Sequence, residues 1–268
     1  MKISAVIITF QEEKNIAAAI RSVDWADEIL VVDSNSTDKT VDIAKDLGAK
    51  VISREWTGFA SQKQFAADSA ENDWILSLDA DERVSDELRT EIEKLKAKDR
   101  HADGYTIPRL STYMGLEIHH GGWYPDRQLR FFDRRKGRWK DVVIHESVAI
   151  DDGAEVGSLS GDILHFSVEN ASHHHRMISE RYAPLAAKLM FENGRRTSPL
   201  RTAFSALAAF IRGYFLRLGF LDGFPGFCIA FFAAYHTFLK NLLLYEMQSQ
   251  NTTLFADAAT TSGSDDSS

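Results

Sequence analysis

Four short apolar runs, each closing on a polar or acidic residue and each followed by helical spacing, fill the first hundred residues and constrain the fold more than any other feature. Ile3-Ser4-Ala5-Val6-Ile7-Ile8 is a nearly continuous apolar run, the mark of a strand covered on both faces. Ile16, Ala19, Ile20 and Val23 then recur at helical spacing. Glu28-Ile29-Leu30-Val31-Val32-Asp33 reads as a second strand ending on a carboxylate. Ser36 or Thr37 suits the cap of the next helix, which carries Val41, Ala44 and Leu47 and stops at Gly48. Lys50-Val51-Ile52-Ser53 is a third strand, residues 62–69 a helix, and Trp74-Ile75-Leu76-Ser77-Leu78 a fourth strand ending at Asp79. Ser85 then caps a helix with Leu88, Ile92 and Leu95 on one face. This order predicts an α/β fold, a mainly parallel sheet with helices on both sides.

Past Arg100 the pattern changes to shorter strands, expected at 104–108, 128–133, 142–144 and 162–167. A long helix is expected over 171–193, stopped by Asn193-Gly194, followed by two apolar segments at 202–221 and 224–245. The tail from 252 is built of Thr, Ser, Ala, Asp and Gly and is expected to be disordered. The expected organisation is thus a catalytic domain over 1–170, a helical region over 171–250 and a tail over 251–268. A chain of 268 residues encloses a sizeable core. Its 44% hydrophobic and 26% charged residues exclude disorder, collagen and coiled coil for the whole chain. Net charge −8 argues against a nucleic-acid partner. The lone Cys228 cannot form an internal disulfide, no zinc spacing exists, and the N-terminal apolar run is too short for a secretion signal, so a cytoplasmic protein is expected.

In an open parallel sheet, ligands sit beyond the carboxyl ends of the strands. The polar residues there are Thr9, Gln11 and Glu12 after strand one; Asp33, Ser34 and Asp38 after strand two; and Asp79, Asp81 and Glu82 after strand four. Neither GxGxxG after the first strand nor GxxxxGK[ST] anywhere is present, so the common dinucleotide and P-loop readings fail. A phosphate ligand then needs another holder. Paired carboxylates with a divalent cation supply one, because the metal bridges carboxylate and phosphate oxygens. Asp79-Ala80-Asp81 follows a buried strand and suits that role; as a bare Asp-x-Asp it equally opens the following helix. Asp33 has two readings as well: a carboxylate accepting the imide N–H of uracil, or a turn former in Asp33-Ser34-Asn35-Ser36-Thr37-Asp38.

Ile7-Ile8-Thr9-Phe10-Gln11-Glu12-Glu13, Val31-Val32-Asp33-Ser34-Asn35-Ser36-Thr37-Asp38 and Leu76-Ser77-Leu78-Asp79-Ala80-Asp81-Glu82 together resemble the family 2 glycosyltransferases with a GT-A fold. A wider set resembles the lipopolysaccharide-core β-glucosyltransferase subgroup: Arg54-Glu55-Trp56-Thr57-Gly58-Phe59, Gln62-Lys63, Gly121-Gly122-Trp123-Tyr124-Pro125, His145-Glu146, Gly161-Asp162-Ile163-Leu164-His165 and Gly219-Phe220-Leu221-Asp222-Gly223. The resemblance covers roughly residues 2 to 247, and it departs at Gln11, where the family usually has Asn. It implies an inverting transfer from a nucleotide-sugar, most often a UDP-sugar. Thr9, Glu12 and Asp33, with Asp38 beside them, would hold the uridine; Lys63 would lie near the diphosphate or ribose; Asp79 would touch ribose or metal; Asp81 would ligate Mg²⁺ or Mn²⁺; Arg127 and Arg130 would face phosphates. The resemblance also suggests His165 as a late metal ligand, against the reading of a core histidine in an apolar strand. Glu146 matches the catalytic base, with Asp126 the runner-up.

The charge is uneven. Residues 171–248 carry nine Lys/Arg against four Asp/Glu, whereas the first 170 residues are net acidic. His173-His174-His175 reads as a solvated helix start, since consecutive helical residues point to different faces. The longest uncharged apolar run, from Gly223 to Leu239, contains Pro225 and His236, so a clean spanning helix is not expected. Arg195, Arg196, Arg201, Arg212 and Arg217 flank or interrupt the apolar stretches, the pattern of helices lying in the headgroup layer of an anionic membrane. The expectation is a transferase peripheral on the cytoplasmic face of a bacterial inner membrane, moving glucose to a heptose of a lipid-linked saccharide acceptor. A polyprenyl phosphate or capsule acceptor, and a catalytically silent nucleotide-sugar-binding adaptor, are the competing readings.

Overall fold

The computed structural model describes residues 1–98, 101–140, 147–168 and 170–261, with side chains to residue 250 apart from Ser167. Two compact units emerge: Met1–Thr112 with Tyr124–Ser167, and Tyr113–Trp123 with Val168–Ser268. The segment Tyr113–Trp123, placed by the sequence reading in the first domain, therefore groups with the C-terminal helices.

In the first unit the elements run β1 (Ile3–Thr9), α1 (Ile16–Ser22), β2 (Glu28–Asp33), α2 (Thr40–Asp46), β3 (Lys50–Ser53), α3 (Phe59–Ser69), β4 (Trp74–Asp79), β5 (Glu82–Val84), α4 (Asp86–Lys96) and β6 (Gly104–Tyr113). After the short β7 (Leu116–Glu117) of the second unit come β8 (Asp126–Asp133), β9 (Gly137–Trp139), β10 (Val148–Ile150), β11 (Val156–Ser158) and β12 (Ile163–Val168). The main sheet has the order β3-β2-β1-β4-β8-β6-β12-β5. Its β3-β2-β1-β4 half is parallel, as the βα alternation predicts, but β4–β8, β8–β6 and β12–β5 pair antiparallel, so the sheet is mixed.

All seven residues of β1 are buried, and they alternate between two cores. Ile3, Ala5 and Ile7 pack with Ile16 and Ile20 of α1 and Leu88 and Ile92 of α4; Val6 and Ile8 pack with Ala60, Ala66 and Ala67 of α3. A strand sandwiched in this way has no solvent face, which is why its sequence is apolar without alternation. Chain order runs from β1 outward to β3 and then jumps back across β1 to β4. That reversal places the carboxyl ends of β1, β2 and β4 side by side, where such sheets bind ligands.

Local chemistry explains where elements begin. Ser85 Oγ accepts the Leu88 backbone N–H at 3.2 Å and caps α4 as expected. Ser36 and Thr37, expected to cap α2, instead hold the preceding loop: Ser36 Oγ accepts from the Gln11 backbone N–H at 2.9 Å, and Gln11 Nε2 donates to Thr37 Oγ1 at 2.8 Å. α2 therefore starts only at Thr40.

In the second unit, α5 (Ala171–Arg176) continues through a π-turn (Met177–Tyr182) into α6 (Ala183–Glu192). α7 (Pro199–Ile211), a π-turn (Arg212–Leu216) and a 3₁₀ turn (Gly219–Asp222) lead into α8 (Gly223–Thr261). Helix α8 thus runs through residues 251–261, expected as part of the disordered tail; once nucleated, a helix gains one hydrogen bond for each residue added. The turn between α7 and α8 is closed by glycines, since a Cβ on Gly226 would lie 1.8 Å from the Gly219 carbonyl oxygen. Asp222 fastens it, accepting from the His119 and His120 backbone N–H groups at 3.3 and 2.8 Å and pairing with His120 Nδ1 at 2.7 Å. A polar ladder joins the helices: Asn241 Nδ2 donates to Ser205 Oγ, and Gln248 Oε1 accepts from the Thr197 backbone N–H. The histidine run opens its helix with no residue fully buried and His175 exposed, but His174 is partly packed. His174 lies 4.2 Å from the Phe232 ring and 3.3 Å from the Tyr113 hydroxyl, and burial followed by repulsion from His173 pushes its pKa down to about 4. An 18-residue window within Gly219–Gln250 reaches a mean hydropathy of 1.5, and by length and composition alone this stretch could cross a membrane, which the uncharged run read from sequence did not indicate.

Candidate active site

Register brings the strand-end residues together. Thr9 is the Cα partner of Asp33, and Ile8 that of Asp79, so β1 is flanked at its carboxyl end by two acidic strand ends. Asp81 follows in the turn after β4, at the same edge as Asp33. Thr9 Oγ1 is buried without a hydrogen-bond partner among the described residues. Asp33 is buried; its Oδ2 accepts from the Ser36 backbone N–H at 2.9 Å and its Oδ1 from Ser36 Oγ at 2.6 Å. The turn-forming reading of this residue is therefore realised. A carboxylate offers about four lone-pair sites, so each Asp33 oxygen keeps acceptor capacity after serving the turn. Glu12 accepts from Asn15 Nδ2 at 2.8 Å, and its carbonyl receives the first backbone bonds of α1. Asp38 is spent on the loop, accepting from Thr40 and from the Glu13 backbone N–H.

Behind this edge lies a buried chain of alternating charges. Lys63 of α3, fully enclosed, places Nζ 3.0 Å from Asp79 Oδ1 and 5.0 Å from the Trp139 ring centroid. Arg130 reaches Asp79 Oδ2 at 3.3 Å and Glu82 Oε1 at 3.2 Å. Glu82, also fully buried, accepts from the Asp79 backbone N–H at 2.9 Å and from Arg109 at 3.3 Å, and Arg109 grips Asp126 Oδ2 through Nε and Nη2 at 2.9 and 2.6 Å. Burial alone would raise the Asp79 carboxyl, but Lys63 and Arg130 overcome it and hold the group far below the usual carboxylate range. The register of β6 against β8 slips between Tyr105 and Thr106, opposite Phe131 and Leu129, so the Cα pairing passes over Arg130.

Asp81 faces a different partner. Its Oδ2 lies 3.5 Å from His165 Nε2, while His165 Nδ1 is 3.2 Å from Ser111 Oγ. A hydroxyl on one ring nitrogen with the other turned to a carboxylate is the arrangement that orients a ligating imidazole. Carboxylate oxygen and imidazole nitrogen suit a divalent cation whose other ligands are phosphate and water. Among the described residues, no three His, Cys, Asp or Glu side chains gather as a metal cage. Asp79, expected as a second metal ligand, is instead committed to Lys63 and Arg130.

Two further expectations change. Arg127 does not face this edge; its Nη1 donates to Ser158 Oγ at 2.6 Å and to the Leu159 carbonyl at 3.0 Å. Asp126 has both oxygens occupied, Oδ2 by Arg109 and Oδ1 by Gln128 at 2.8 Å, which makes it a strut instead of an unencumbered base. Glu146 lies outside the described residues. Sequence reading passed over Arg109, Trp139 and Ser111, and took Glu82 only as a strand-end polar residue. A lone arginine in a strand gives no signal of the carboxylates it will bridge.

The family model for glycosyl transferase family 2 matches residues 4–150. The chain belongs to that family. This glycosyltransferase is 34% identical over 268 residues to an uncharacterized glycosyltransferase of Rickettsia typhi, covering 95% of this chain and 90% of that one. It is 29% identical to the lipopolysaccharide core biosynthesis glycosyltransferase LpsC of Rhizobium meliloti, over 92% of this chain and 93% of the relative. Among solved structures, S. aureus TarS residues 1–349 in complex with UDP-GlcNAc aligns over 94% of this chain and 92% of that one, at 17% identity with a TM-score of 0.48.

Proposed function

We propose that the transferase moves a hexose, glucose in the leading reading, from a UDP-sugar to a heptose of a lipopolysaccharide core, with inversion, at the cytoplasmic face of a bacterial membrane. The observation that carries the donor half is the unpartnered, buried Thr9 hydroxyl set in register with Asp33 at the carboxyl ends of β1 and β2. Asp33 accepts the imide N–H of uracil there, a donor that cytosine lacks. Asp81 and His165 would hold Mg²⁺ or Mn²⁺, which when bound neutralises the diphosphate and stabilises it as a leaving group. Lys63 and Arg130 keep Asp79 ionised and fixed at the edge beside the ribose or diphosphate, so the chain spends no reorganisation there when the donor arrives.

Inversion requires a base on the acceptor side. Glu146 is assigned that role, supported by its place in Val143-Ile144-His145-Glu146 and by the hydrogen bonds that already occupy Asp126. The core-heptose acceptor is supported by the likeness to LpsC. Thermal shift with a panel of nucleotide-sugars, with and without Mn²⁺, followed by UDP release with heptose, polyprenyl phosphate and capsule-type acceptors, tests the whole reading. UDP-glucose should stabilise the protein more in the presence of Mn²⁺, and heptose should release UDP. Preference for a different nucleotide ends the donor assignment; release only with polyprenyl phosphate moves the acceptor; binding without release under any condition makes the protein an adaptor. Glu146→Gln should abolish release while retaining the UDP-dependent shift. Asp126→Asn should lower kcat less than tenfold, and the reverse ranking would exchange the two roles.

A further inference from the structure

Helix α7 leaves one apolar face without any protein cover. Leu200, Phe204, Leu207, Ile211 and, through the π-turn, Phe215 repeat at helical spacing and are each between 41% and 72% exposed. The opposite side of the same helix is spent on α8, through Ser205 with Asn241 and through Gly213, whose missing Cβ brings it against Ala230. A contiguous stripe of this size on a folded helix marks an interaction surface.

The charges around the stripe select its occupant. Between Asn193 and Leu221 there are five arginines and no carboxylate, and the next acid, Asp222, is buried and paired with His120. A second copy meeting this face about a two-fold axis would set Arg201, Arg212 and Arg217 against their own images. Anionic lipid headgroups meet the same cations favourably while the acyl boundary takes the apolar side chains. Arginines occur at both ends of the stripe, so a helix entering end-on would drag Arg212 and Arg217 into hydrocarbon, whereas one lying flat lets every guanidinium reach a phosphate. Helix α8 is the more apolar by composition and also exposes Phe224, Phe231 and Phe238, but its flank carries no arginine to meet a phosphate layer, and Asn241 and Gln248 tie its other side to Ser205 and Thr197.

We infer that α7 is an in-plane membrane anchor, its Leu200–Phe204–Leu207–Ile211–Phe215 face lying at the acyl boundary of an anionic leaflet and its arginines in the phosphate layer. The inference rests on the reading that the transferase works at a membrane and adds which surface does the binding and in which orientation.

Flotation of the full chain with phosphatidylethanolamine/phosphatidylglycerol vesicles, compared with pure phosphatidylcholine, tests it alongside Phe204→Glu/Leu207→Glu and Arg201→Gln/Arg212→Gln. The native chain should float with the anionic vesicles. The glutamate pair should lose at least tenfold in partitioning while keeping its UDP-dependent thermal shift, and the glutamine pair should lose most of its salt sensitivity. A native chain that floats with neither vesicle removes the membrane reading itself. Glutamate variants that float as before leave that reading standing and overturn the assignment to α7. Depth gives a second measurement that needs no disruptive variant: an environment-sensitive label at Leu200→Cys, Leu207→Cys or Phe215→Cys, each on Cys228→Ser, read against lipids brominated at two depths. Leu200 and Phe215 stand about 22 Å apart along an α-helix. Equal depths support the in-plane anchor, and a graded series overturns it in favour of end-on entry. If the glutamate pair instead turns an oligomer into a monomer with vesicle binding unchanged, the face belongs to a second copy and the inference falls.

Discussion

Replacing Lys63 by Met tests the electrostatic logic of the site most directly. The substitution keeps an unbranched apolar stem of similar reach beside Trp139, with a thioether sulfur in place of one methylene, and removes the ammonium group. Lys63 is fully enclosed, and its Nζ is 3.0 Å from Asp79 Oδ1, so its loss removes one of two cations that hold a carboxylate about one-fifth exposed. Breaking a buried ion pair from one side costs about 3–5 kcal/mol. Arg130 remains 3.3 Å from Asp79 Oδ2 and compensates in part, which places the expected loss near the lower bound, at about 3 kcal/mol. For a protein of this size that corresponds to a fall in Tm of about 6–12 °C. The pH dependence supplies an independent sign. Asp79 has a depressed pKa when folded, so its stabilisation is complete above the ordinary carboxylate pKa of about 4 and fades as pH falls through the depressed value. The gap between native and Lys63→Met melting should therefore be widest near neutrality and should narrow in acid. Adding Asp79→Leu to Lys63→Met, which removes both charges, should recover part of the loss in a double-mutant cycle. Calorimetric melting of Lys63→Met, Asp79→Leu and the double variant beside the native protein, at neutral and acid pH, decides the matter. A shift below about 2 °C at neutral pH, less than 1 kcal/mol on the same scale, would refute the claim that Lys63 fixes Asp79.

Arg127→Ala should cost at most about 1 kcal/mol and leave the donor KM within about twofold, because its guanidinium is held by Ser158 and Leu159 at the surface; a large rise in KM would return it to the phosphate site. Asp222→Ala should destabilise the helical unit by about 2–4 kcal/mol, since it orphans two backbone N–H groups and the imidazole of His120, and hydrogen exchange at His119 and His120 should report the opening. Unchanged exchange would show that the turn is held by its glycines alone. His174 is neutral when folded, with a pKa of about 4, and so favours unfolding once the unfolded chain takes up its proton. Stability should fall as pH drops from about 6.5 toward 4, by about 1–2 kcal/mol after allowance for a half-exposed ring. His174→Phe should flatten that limb, and a limb unaltered in the variant would assign it elsewhere.

How much of this was legible beforehand depends on whether the signal was local. β1, β2 and β4 announce themselves because a doubly covered strand must be apolar throughout, and the residue ending it is then set at the ligand edge by topology alone. Thr9, Asp33, Asp79 and Asp81 were found that way. The roles within the edge were harder, because they depend on partners distant in sequence. Asp79 and Asp81 are two residues apart and look equivalent, yet Asp79 meets Lys63 from α3 and Arg130 from β8, while Asp81 meets His165 from β12. Only the fold decides which carboxylate is neutralised by the protein's own buried cations and which meets an imidazole instead. Arg127 and Arg130 differ for a simpler cause: three positions apart on β8, they point to opposite faces by alternation, one to Ser158 and Leu159 and the other to Asp79. The antiparallel half of the sheet was missed for a related cause, since strands 128–133 and 162–167 were placed nearly correctly but pairing direction is set by connections of irregular length. A carboxylate pair in this family of sequences is therefore best read by asking which buried cations the fold will bring to each member. Lys63→Met answers that for Asp79, and the Mn²⁺-dependent thermal shift of Asp81→Asn answers it for Asp81. Loss of the metal response in the second variant and its retention in the first is the outcome this division of labour requires.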